Sequence, residues 1–270
     1  MEKNRLDVVL CHRGLMPSRE KARAMILAGK ILVNGQKIDK PGTRVPVDAN
    51  IVILDGSMPY VSRGGLKLEG AIRDFGISFR GKSVLDVGAS TGGFTDCALQ
   101  HGAVRVVALD VGYGQLDWKL RNDERVIVHE RTNIRHFTPQ NLGAQVDIAT
   151  IDVSFISLDK VLPGVFPLVK EGGEVLALVK PQFEAGRDKV GKKGVVKDPE
   201  VHGQVLFRVI ETAAAVGFSL QGVTYSPLKG PEGNIEYFIH LKKHPAAPGR
   251  HIPSIAEIVS EAHHKLGGIP

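Results

Sequence analysis

The sequence predicts an α/β protein in which a small N-terminal α+β domain precedes a doubly wound, Rossmann-like parallel sheet with an antiparallel final strand. Two observations predict the large sheet. Apolar strand-like runs alternate with helical stretches from residue 83 onward, as in parallel sheets that carry helices on both faces. The last two runs, 223–226 and 235–241, are separated by too few residues for a crossover helix, so we expect them to pair antiparallel.

Residues 1–56 predict the small domain. One helix begins at Leu6, and a second follows Ser18, which is suited to cap it, and stops at Gly29. A hairpin turns at Asn34-Gly35, and one more strand follows at 51–54. Residues 1–55 hold ten Lys and Arg against six acids, whereas the rest of the chain is nearly neutral. We therefore expect the small domain to bind a polyanion.

The remaining chain divides into three predicted segments. Residues 57–62 form a linker, residues 63–245 the sheet domain, and residues 246–270 a C-terminal tail with a short helix. The sheet domain opens with a helix at 63–75, and two further helices are predicted at 158–169 and 201–216. Its parallel strands are expected at 83–87, 104–109, 125–128, 147–151 and 174–180.

Composition narrows the class of protein. The chain has 270 residues, a net charge of +6 and 43% hydrophobic residues, but no apolar stretch of about 18 residues that could span a membrane. Acids near the N-terminus interrupt any leader-like pattern, so we expect a soluble cytoplasmic protein without stable membrane association. Cys11 and Cys97 lie in different segments without zinc-type spacing, so we expect reduced thiols and no metal.

A glycine-rich turn follows the first strand of the sheet domain, in the segment Asp86-Val-Gly-Ala-Ser-Thr-Gly-Gly-Phe94. Glycines let backbone amides approach a ligand, and the start of the next helix favours an anionic group. A dinucleotide fingerprint needs a glycine where Ser90 stands, which argues against NAD. Tight strand-to-helix turns also occur without a ligand, so the turn needs support from a second residue.

Asp110 gives that support, because it ends the next strand 24 residues after Asp86, where a carboxylate would meet a ribose diol. A nucleoside with an anionic tail, such as S-adenosylmethionine, fits both ends. Asn133 follows the third strand, where it would contact the cofactor or simply stabilise a loop turn. The predicted cofactor contacts are Asp86, Gly88, Ser90, Gly92, Gly93, Phe94, Asp110 and Asn133.

Four charged residues, Lys67, Asp152, Lys180 and Glu236, stand in apolar or glycine-bounded surroundings. Burying a lone charge costs several kcal/mol, so such charges usually have partners. Asp152 and Lys180 end consecutive parallel strands and can face one cleft. Either residue alone is explained by a structural ion pair, but together, on the side of the glycine turn, they make a candidate catalytic site.

The small domain resembles the alpha-L RNA-binding domain of ribosomal small-subunit protein four. The matching segments are Ser18-Arg-x-Lys-Ala and Gly29-Lys-Ile-Leu-Val-Asn-Gly35. The resemblance implies contacts with RNA phosphates and structured RNA. The implied contacts are Arg5, Arg19, Lys21, Arg23 and Lys30.

The sheet domain resembles the FtsJ-like RNA 2'-O-methyltransferases, whose Lys-Asp-Lys-Glu tetrad has the order of Lys67, Asp152, Lys180 and Glu236. Nearly the whole chain is similar to the TlyA family, also labelled haemolysin A. The segments that carry this resemblance are Val61-Ser-Arg-Gly-Gly-Leu-Lys-Leu, the glycine turn, Asp152-Val-Ser-Phe-Ile-Ser-Leu and Lys180-Pro-Gln-Phe-Glu.

This resemblance implies methyl transfer from S-adenosylmethionine to the ribose 2'-hydroxyl of a cytidine in RNA of the small ribosomal subunit, and of the large one as a further candidate. Lys180 is expected to accept the hydroxyl proton if its surroundings lower its pKa, although Lys67 is a second candidate. Asp152 and Glu236 would orient Lys180 and the ribose. A basic loop at 183–196 either moves over the substrate or is solvated. Further RNA contacts are expected from Arg63, Lys189 and Lys192.

Three other functions remain open from the sequence. The haemolysin label suggests a membrane-active protein, but no strongly amphipathic surface helix is visible. A catalytically inactive protein that binds ribosomes or RNA would keep the fold, but it would not need the tetrad. Methylation of another RNA or of a base is the third alternative, and the tetrad favours the ribose.

Overall fold

The computed structural model describes residues 3–27, 29–54, 59–191, 193–230, 232–244 and 254–266. Lys192, one of the predicted RNA contacts, lies outside the described residues. Parts of the predicted linker and tail, residues 57–58, 246–253 and 267–270, also lie outside them.

The small domain packs two helices against short strands. Its elements are β1 (Lys3–Arg5), α1 (Leu6–His12), α2 (Arg19–Leu27), β2 (Ile31–Val33), β3 (Gln36–Lys37), β4 (Arg44–Pro46) and β5 (Ile51–Ile53). β2 pairs antiparallel with β3 and β5, and β1 pairs antiparallel with β4. Leu6, Leu10, Ile26 and Ile31 are completely buried between the helices and the sheet.

The sheet domain continues the alternation of strands and helices. Its first half contains α3 (Arg63–Phe75), β6 (Ser83–Val87), α4 (Gly93–Gln100), β7 (Arg105–Leu109), α5 (Trp118–Arg121), β8 (Val126–His129) and α6 (Pro139–Leu142). Its second half contains β9 (Val146–Ile151), α7 (Leu162–Val165), β10 (Val169–Val179), α8 (Pro181–Glu184), α9 (Pro199–Val216), β11 (Ser219–Tyr225), β12 (Tyr237–Lys242) and α10 (Ile255–Leu266).

Seven strands form one sheet in the order β11-β12-β10-β9-β6-β7-β8. All neighbours are parallel except β12, which runs antiparallel to β10 and β11. The predicted doubly wound sheet with an antiparallel final strand is therefore confirmed. The chain winds to one side through β7 and β8 and then crosses to β9 on the other side of β6. A ligand crevice is expected at that switch, outside the carboxyl ends of β6 and β9.

The sheet is covered on both faces. On one face, α7, α9 and α10 pack over a core that includes Val87, Ile151 and Val175. On the other face, α3 and α4 pack over Val84 and Ile148. The short helix predicted in the tail is α10, and it buries its apolar side on the first face.

One predicted helix is wrong. Residues 158–169 form a 3-10 turn, the single turn α7 and a second 3-10 turn, after which β10 starts at Val169 instead of residue 174. Pro163, Gly164 and Pro167 interrupt the helical ladder, since proline lacks the amide donor and glycine weakens the helix. Within the described segments, no helix is both long and apolar enough to cross a membrane.

Candidate active site

A cavity of about 460 Å³ opens at the carboxyl ends of β6 and β9, where the strand order reverses. Three stretches of chain surround it: the glycine turn at 88–94, the start of α3 at 62–67, and the residue that follows β9. Lys229, from the loop between β11 and β12, completes the lining. The sheet thus places the predicted cofactor turn and two of the four predicted catalytic residues, Lys67 and Asp152, around one space.

The glycine turn packs its backbone tightly against its neighbours. Gly88 has a φ of +87°, and a Cβ atom there would lie 2.3 Å from the Asp152 carbonyl oxygen. A Cβ atom on Gly93 would lie 2.2 Å from Ser62 Oγ. Only glycine fits these two positions, so the turn brings bare backbone to the cavity wall. Phe94 closes this wall, and its ring stacks on Phe238 with centroids 6.0 Å apart.

Asp86 lies beneath the turn and does not line the cavity. Its side chain is completely buried and accepts hydrogen bonds from Thr95 Oγ1 at 2.7 Å and Thr150 Oγ1 at 3.1 Å. Burial raises the pKa of Asp86 to about 7, although the two hydroxyl donors oppose this shift. Asp86 is therefore placed to support the turn from below.

Asp110 follows β7 and ties it to the glycine turn. Its Oδ2 accepts the Ser90 amide and its Oδ1 accepts the Gly112 amide, both at 2.7 Å. Ser90 has a φ of +48°, which directs its amide toward this carboxylate. Asn133 instead caps the 3-10 turn at 134–136 by accepting the Arg135 amide, and it does not line the cavity.

The four charged residues form two ion pairs. Lys67 Nζ lies 2.6 Å from Glu236 Oε2, and both side chains are buried, which joins α3 to the residue before β12. Lys180 Nζ lies 2.6 Å from Asp152 Oδ1 and also donates to Ser154 Oγ at 3.0 Å. Lys67 and Asp152 line the same cavity. Each Lys-acid pair therefore has one member in the lining of this cavity.

Two aromatic residues beside the second pair were missed by the sequence analysis. Phe155 is 90% exposed and adopts a φ of +63°, which is unusual for a non-glycine residue. Its ring lies 4.9 Å from that of Phe183, and the Phe183 ring centroid lies 5.9 Å from Lys180 Nζ. Nothing in the local sequence predicts the left-handed conformation that presents Phe155 to solvent.

The predicted RNA contacts of the small domain differ in their surroundings. Arg5 and Arg19 are half exposed, and both pair with the buried Asp7, at 3.0 and 3.1 Å. The hydrogen bond from Arg5, with further help from Arg19, lowers the pKa of Asp7 to about 2. Lys21 and Arg23 are exposed on α2, and Lys30 is partly buried beyond the helix.

Arg63 is half-buried and connects the two domains. Its Nη2 donates to the Gly35 carbonyl in the hairpin turn of the small domain and to the Lys229 carbonyl in the β11–β12 loop. Lys189 is exposed, and its Nζ donates to Gln204 Oε1 at 2.7 Å. RNA contacts by these residues stay predictions. Among the described residues, no group of three or more His, Cys, Asp and Glu is placed to hold a metal ion.

The strand order, the glycine turn and the Lys-acid pairs at the switch point define a methyltransferase of the Rossmann-like class. The chain belongs to the FtsJ-like methyltransferase family, whose family model matches residues 60–243. An S4 domain matches residues 4–51. The resemblances noted from the sequence are confirmed.

Two relatives have names that specify a reaction. The chain is 47% identical over 239 residues to the 16S/23S rRNA (cytidine-2'-O)-methyltransferase TlyA of Mycobacterium tuberculosis, which covers 88% of this chain and 89% of the relative. It is 36% identical to the 23S rRNA (cytidine-2'-O)-methyltransferase TlyA of Campylobacter jejuni, covering 84% and 94%.

Other relatives have hemolysin names. Hemolysin A of Brachyspira hyodysenteriae is 43% identical, covering 88% of this chain and 99% of the relative. The solved structure of a Streptococcus thermophilus protein named as a hemolysin superposes with a TM-score of 0.77 at 43% identity, covering 98% and 97% of the two chains. The relatives of this chain thus include proteins named as rRNA methyltransferases and proteins named as hemolysins.

Proposed function

We propose that this protein transfers a methyl group from S-adenosylmethionine to the ribose 2'-hydroxyl of a cytidine in ribosomal RNA, in the small or the large subunit. The observation that carries the proposal is the pair of Lys-acid contacts that meet at the cavity beside the glycine turn. The names of the two TlyA relatives support the substrate. A ribosomal substrate also implies that the protein works in the cytoplasm.

The residues around the cavity fit S-adenosylmethionine. The backbone of Gly88 and Gly93 and the start of α4 suit the amino-acid end of this cofactor. Asp110 lies beside the same turn, and its carboxylate suits the ribose diol if it exchanges its hydrogen bonds with the Ser90 and Gly112 amides. The bound cofactor supplies the electrophilic methyl group.

Lys180 is our candidate for the proton acceptor. A ribose 2'-hydroxyl is a poor nucleophile, so removal of its proton during attack accelerates transfer by a factor of about 10² or more. Asp152 and Ser154 fix the direction of the Lys180 amine. In its uncharged form Lys180 accepts the proton, and Asp152 then stabilises the resulting ammonium group.

Lys67 and Glu236 have a positioning role in this proposal. Lys67 lines the cavity and Glu236 is almost completely buried behind it, so the ammonium group is held at the cavity wall. From there it can bind a phosphate or ribose oxygen of the target nucleotide. Such positioning contributes to the rate because the hydroxyl oxygen, the methyl carbon and the sulfur must lie in line.

The exposed surface beside the site suits a nucleotide that is lifted out of its RNA structure. The Phe155 ring is free on one side for stacking with a base, which contributes about 1–3 kcal/mol in single-stranded complexes. On the small domain, Lys21 and Arg23 are exposed and can contact RNA phosphates.

The test uses S-adenosylmethionine with a labelled methyl group and separated ribosomal subunits. The wild type should label the RNA of at least one subunit, and Lys180→Ala should lower kcat by about 10² or more. Lys170→Ala is the matched control. Lys170 forms an exposed ion pair at the beginning of β10, whereas Lys180 directly follows the end of that strand. Absence of label from both subunits would overturn the proposal.

A further inference from the structure

The basic loop that links α8 to α9, residues 186–197, is described by the structure except at position 192, and it is anchored at its C-terminal half. We call it the lysine loop. Gly191 donates to the Val195 carbonyl at 3.1 Å, and Gly194 donates to the Gly191 carbonyl at 2.8 Å, which closes a tight turn. Val196 is buried. A loop that is only solvated would not bury the backbone and the side chain of one of its residues in this way.

The side chain of Asn234 forms hydrogen bonds that connect this turn to the segment before β12. Its side chain is 2% exposed, and its Nδ2 donates to the Gly194 carbonyl at 2.9 Å. Its Oδ1 accepts the Val196 amide at 3.0 Å. Both ends of the amide group are therefore used on the lysine loop, and no other uncharged side chain of similar size offers a donor and an acceptor at this spacing.

His202 binds the other backbone group of the same residue, the carbonyl of Val196. Its ring is completely buried, and its Nε2 lies 3.0 Å from the Val196 carbonyl oxygen, to which it must donate because a carbonyl only accepts. Its Nδ1 is then an acceptor, with the Tyr237 hydroxyl at 2.8 Å and His263 Nε2 at 3.0 Å as its two neighbours. Burial lowers the pKa of His202 to about 4, which is consistent with a neutral ring.

These anchors converge on the segment that carries Glu236. Asn234 lies two residues before it and Tyr237 directly after it, so the lysine loop and Glu236 share one buried frame. The methyl-transfer chemistry proposed above uses neither Asn234 nor His202. Their buried polar groups therefore need another explanation, and the geometry of the loop provides one.

A cavity of about 820 Å³ lies beside the loop. Of the residues that the structure describes, four lysines line it, and Lys229 also lines the active-site cavity, so the two spaces adjoin. Asp198 and Glu232 are the acids of this lining, and the Asp198 carboxylate already accepts the Glu200 amide at the start of α9. Four ammonium groups in one groove match the phosphates of an RNA strand. These lysines are Lys189, Lys193, Lys197 and Lys229.

We infer that this groove binds the phosphodiester backbone of the substrate RNA next to the target nucleotide, and that Asn234 is the positioning residue that holds the groove in register with the active site. The inference rests on the proposed function for the identity of the RNA. The lysines attract the RNA phosphates electrostatically. The hydrogen bonds of Asn234 hold the loop, and with it these lysines, at a fixed position relative to Glu236.

The experiment measures binding of isolated ribosomal subunits at several salt concentrations, and methyl transfer with the same subunits. Each lost phosphate contact lowers the slope of log affinity against log salt by about 0.7–1. Lys193→Gln combined with Lys197→Gln should therefore lower the slope by about 1.5–2. These two lysines are exposed, so the variant is expected to fold.

Asn234→Ala should lower the slope by a similar amount, raise KM about tenfold and leave cofactor affinity unchanged. Adding it to the double lysine variant should produce little further change, since coupled residues are not additive. Asn122→Ala is the matched control, because Asn122 is an asparagine that donates to a carbonyl within its own helical turn, at Trp118. It should behave like the wild type.

The outcomes separate the two proposals. An unchanged salt slope in the double lysine variant would overturn the groove, and an unchanged slope and KM in folded Asn234→Ala would overturn its positioning role. A loss of thermal stability in Asn234→Ala without a change of slope would also count against positioning. If the wild type transfers no methyl group, the proposed function fails, whereas the salt slopes still test the groove.

Discussion

At the scale of single residues, the two ion pairs differ in their exposure to solvent. Lys67 and Glu236 are buried on both sides of the contact, whereas Asp152 keeps about 20% of its side-chain surface exposed. Removing one partner of a buried pair leaves an uncompensated charge, so the Lys67–Glu236 contact has a structural role as well. The Lys180–Asp152 pair is closer to solvent, which suits a group that must exchange a proton.

Asp86 should make stability depend on pH. Its pKa is raised to about 7 by burial, so the folded state binds a proton that the unfolded state has released above pH 4. This contribution is present at low pH and is lost as pH rises through 7. Between pH 5 and pH 8 the wild type should lose about 3 kcal/mol of unfolding free energy relative to Asp86→Asn.

Denaturant unfolding of both proteins across this range measures the difference. Subtracting the variant removes the contribution of the other titrating groups, because both proteins share them. Parallel stability profiles would contradict the raised pKa of Asp86.

The chemistry of single residues can be predicted from the sequence better than their orientation. The apolar surroundings of Lys67 and Glu236 correctly indicated charges that need partners, because burial without a partner is costly. The sequence did not show that Asp86 faces away from the cavity or that Arg63 binds backbone carbonyls. Those contacts depend on which face of a strand or helix is covered by distant parts of the chain.

At the scale of elements, α2 presents the exposed cations of the small domain. Arg19 is partly engaged by Asp7, whereas Lys21 and Arg23 are exposed. Lys21→Gln combined with Arg23→Gln should weaken binding of ribosomal subunits and lower the salt slope by about 1.5–2, without changing cofactor affinity. The lost contacts are electrostatic, so the weakening should be largest at low salt.

Equilibrium binding at several salt concentrations checks this prediction. Glu20→Gln, on the same helix, is the control, since removal of an exposed acid should keep or increase the affinity. Equal salt slopes for the wild type and the double variant would show that α2 does not contact RNA.

Elements with a strong pattern were predicted well, and short ones were not. Periodicity and turn residues gave α3, α9 and the strands around the glycine turn. β1 and β4 have three residues each and are stabilised mainly by pairing with each other, so they carry no period of their own. The stretch 158–169 is apolar enough for a helix, but its prolines prevent a continuous one.

At the scale of the whole molecule, the loop between β11 and β12 contacts the small domain, the lysine loop and the start of α3. The Gly35 turn of the small domain lies directly on it, since a Cβ atom on Gly35 would lie 2.4 Å from the Lys229 amide nitrogen. Arg63 ties the same two points together, and Asn234 holds the lysine loop a few residues later. Direct contacts therefore join the small domain and the lysine loop to the loop that leads into Glu236.

The domain plan was predicted from charge asymmetry and motif spacing, but these contacts between the domains were not. Arg63 lies far in the sequence from the loop that contains Lys229 and Asn234, and the two segments share no pattern. Only the three-dimensional structure brings the hairpin turn, the lysine loop and the active site together. The predicted domain boundaries at 56, 62 and 245 stay predictions.

The most direct test of the account identifies the atom that receives the methyl group. Ribosomal RNA labelled by the wild type is digested to nucleosides, and the labelled nucleoside is analysed by mass spectrometry. The account predicts cytidine with the methyl group on its ribose 2'-oxygen, and loss of this product with Lys180→Ala. A methyl group on a base would contradict the roles assigned to Lys180 and Asp152.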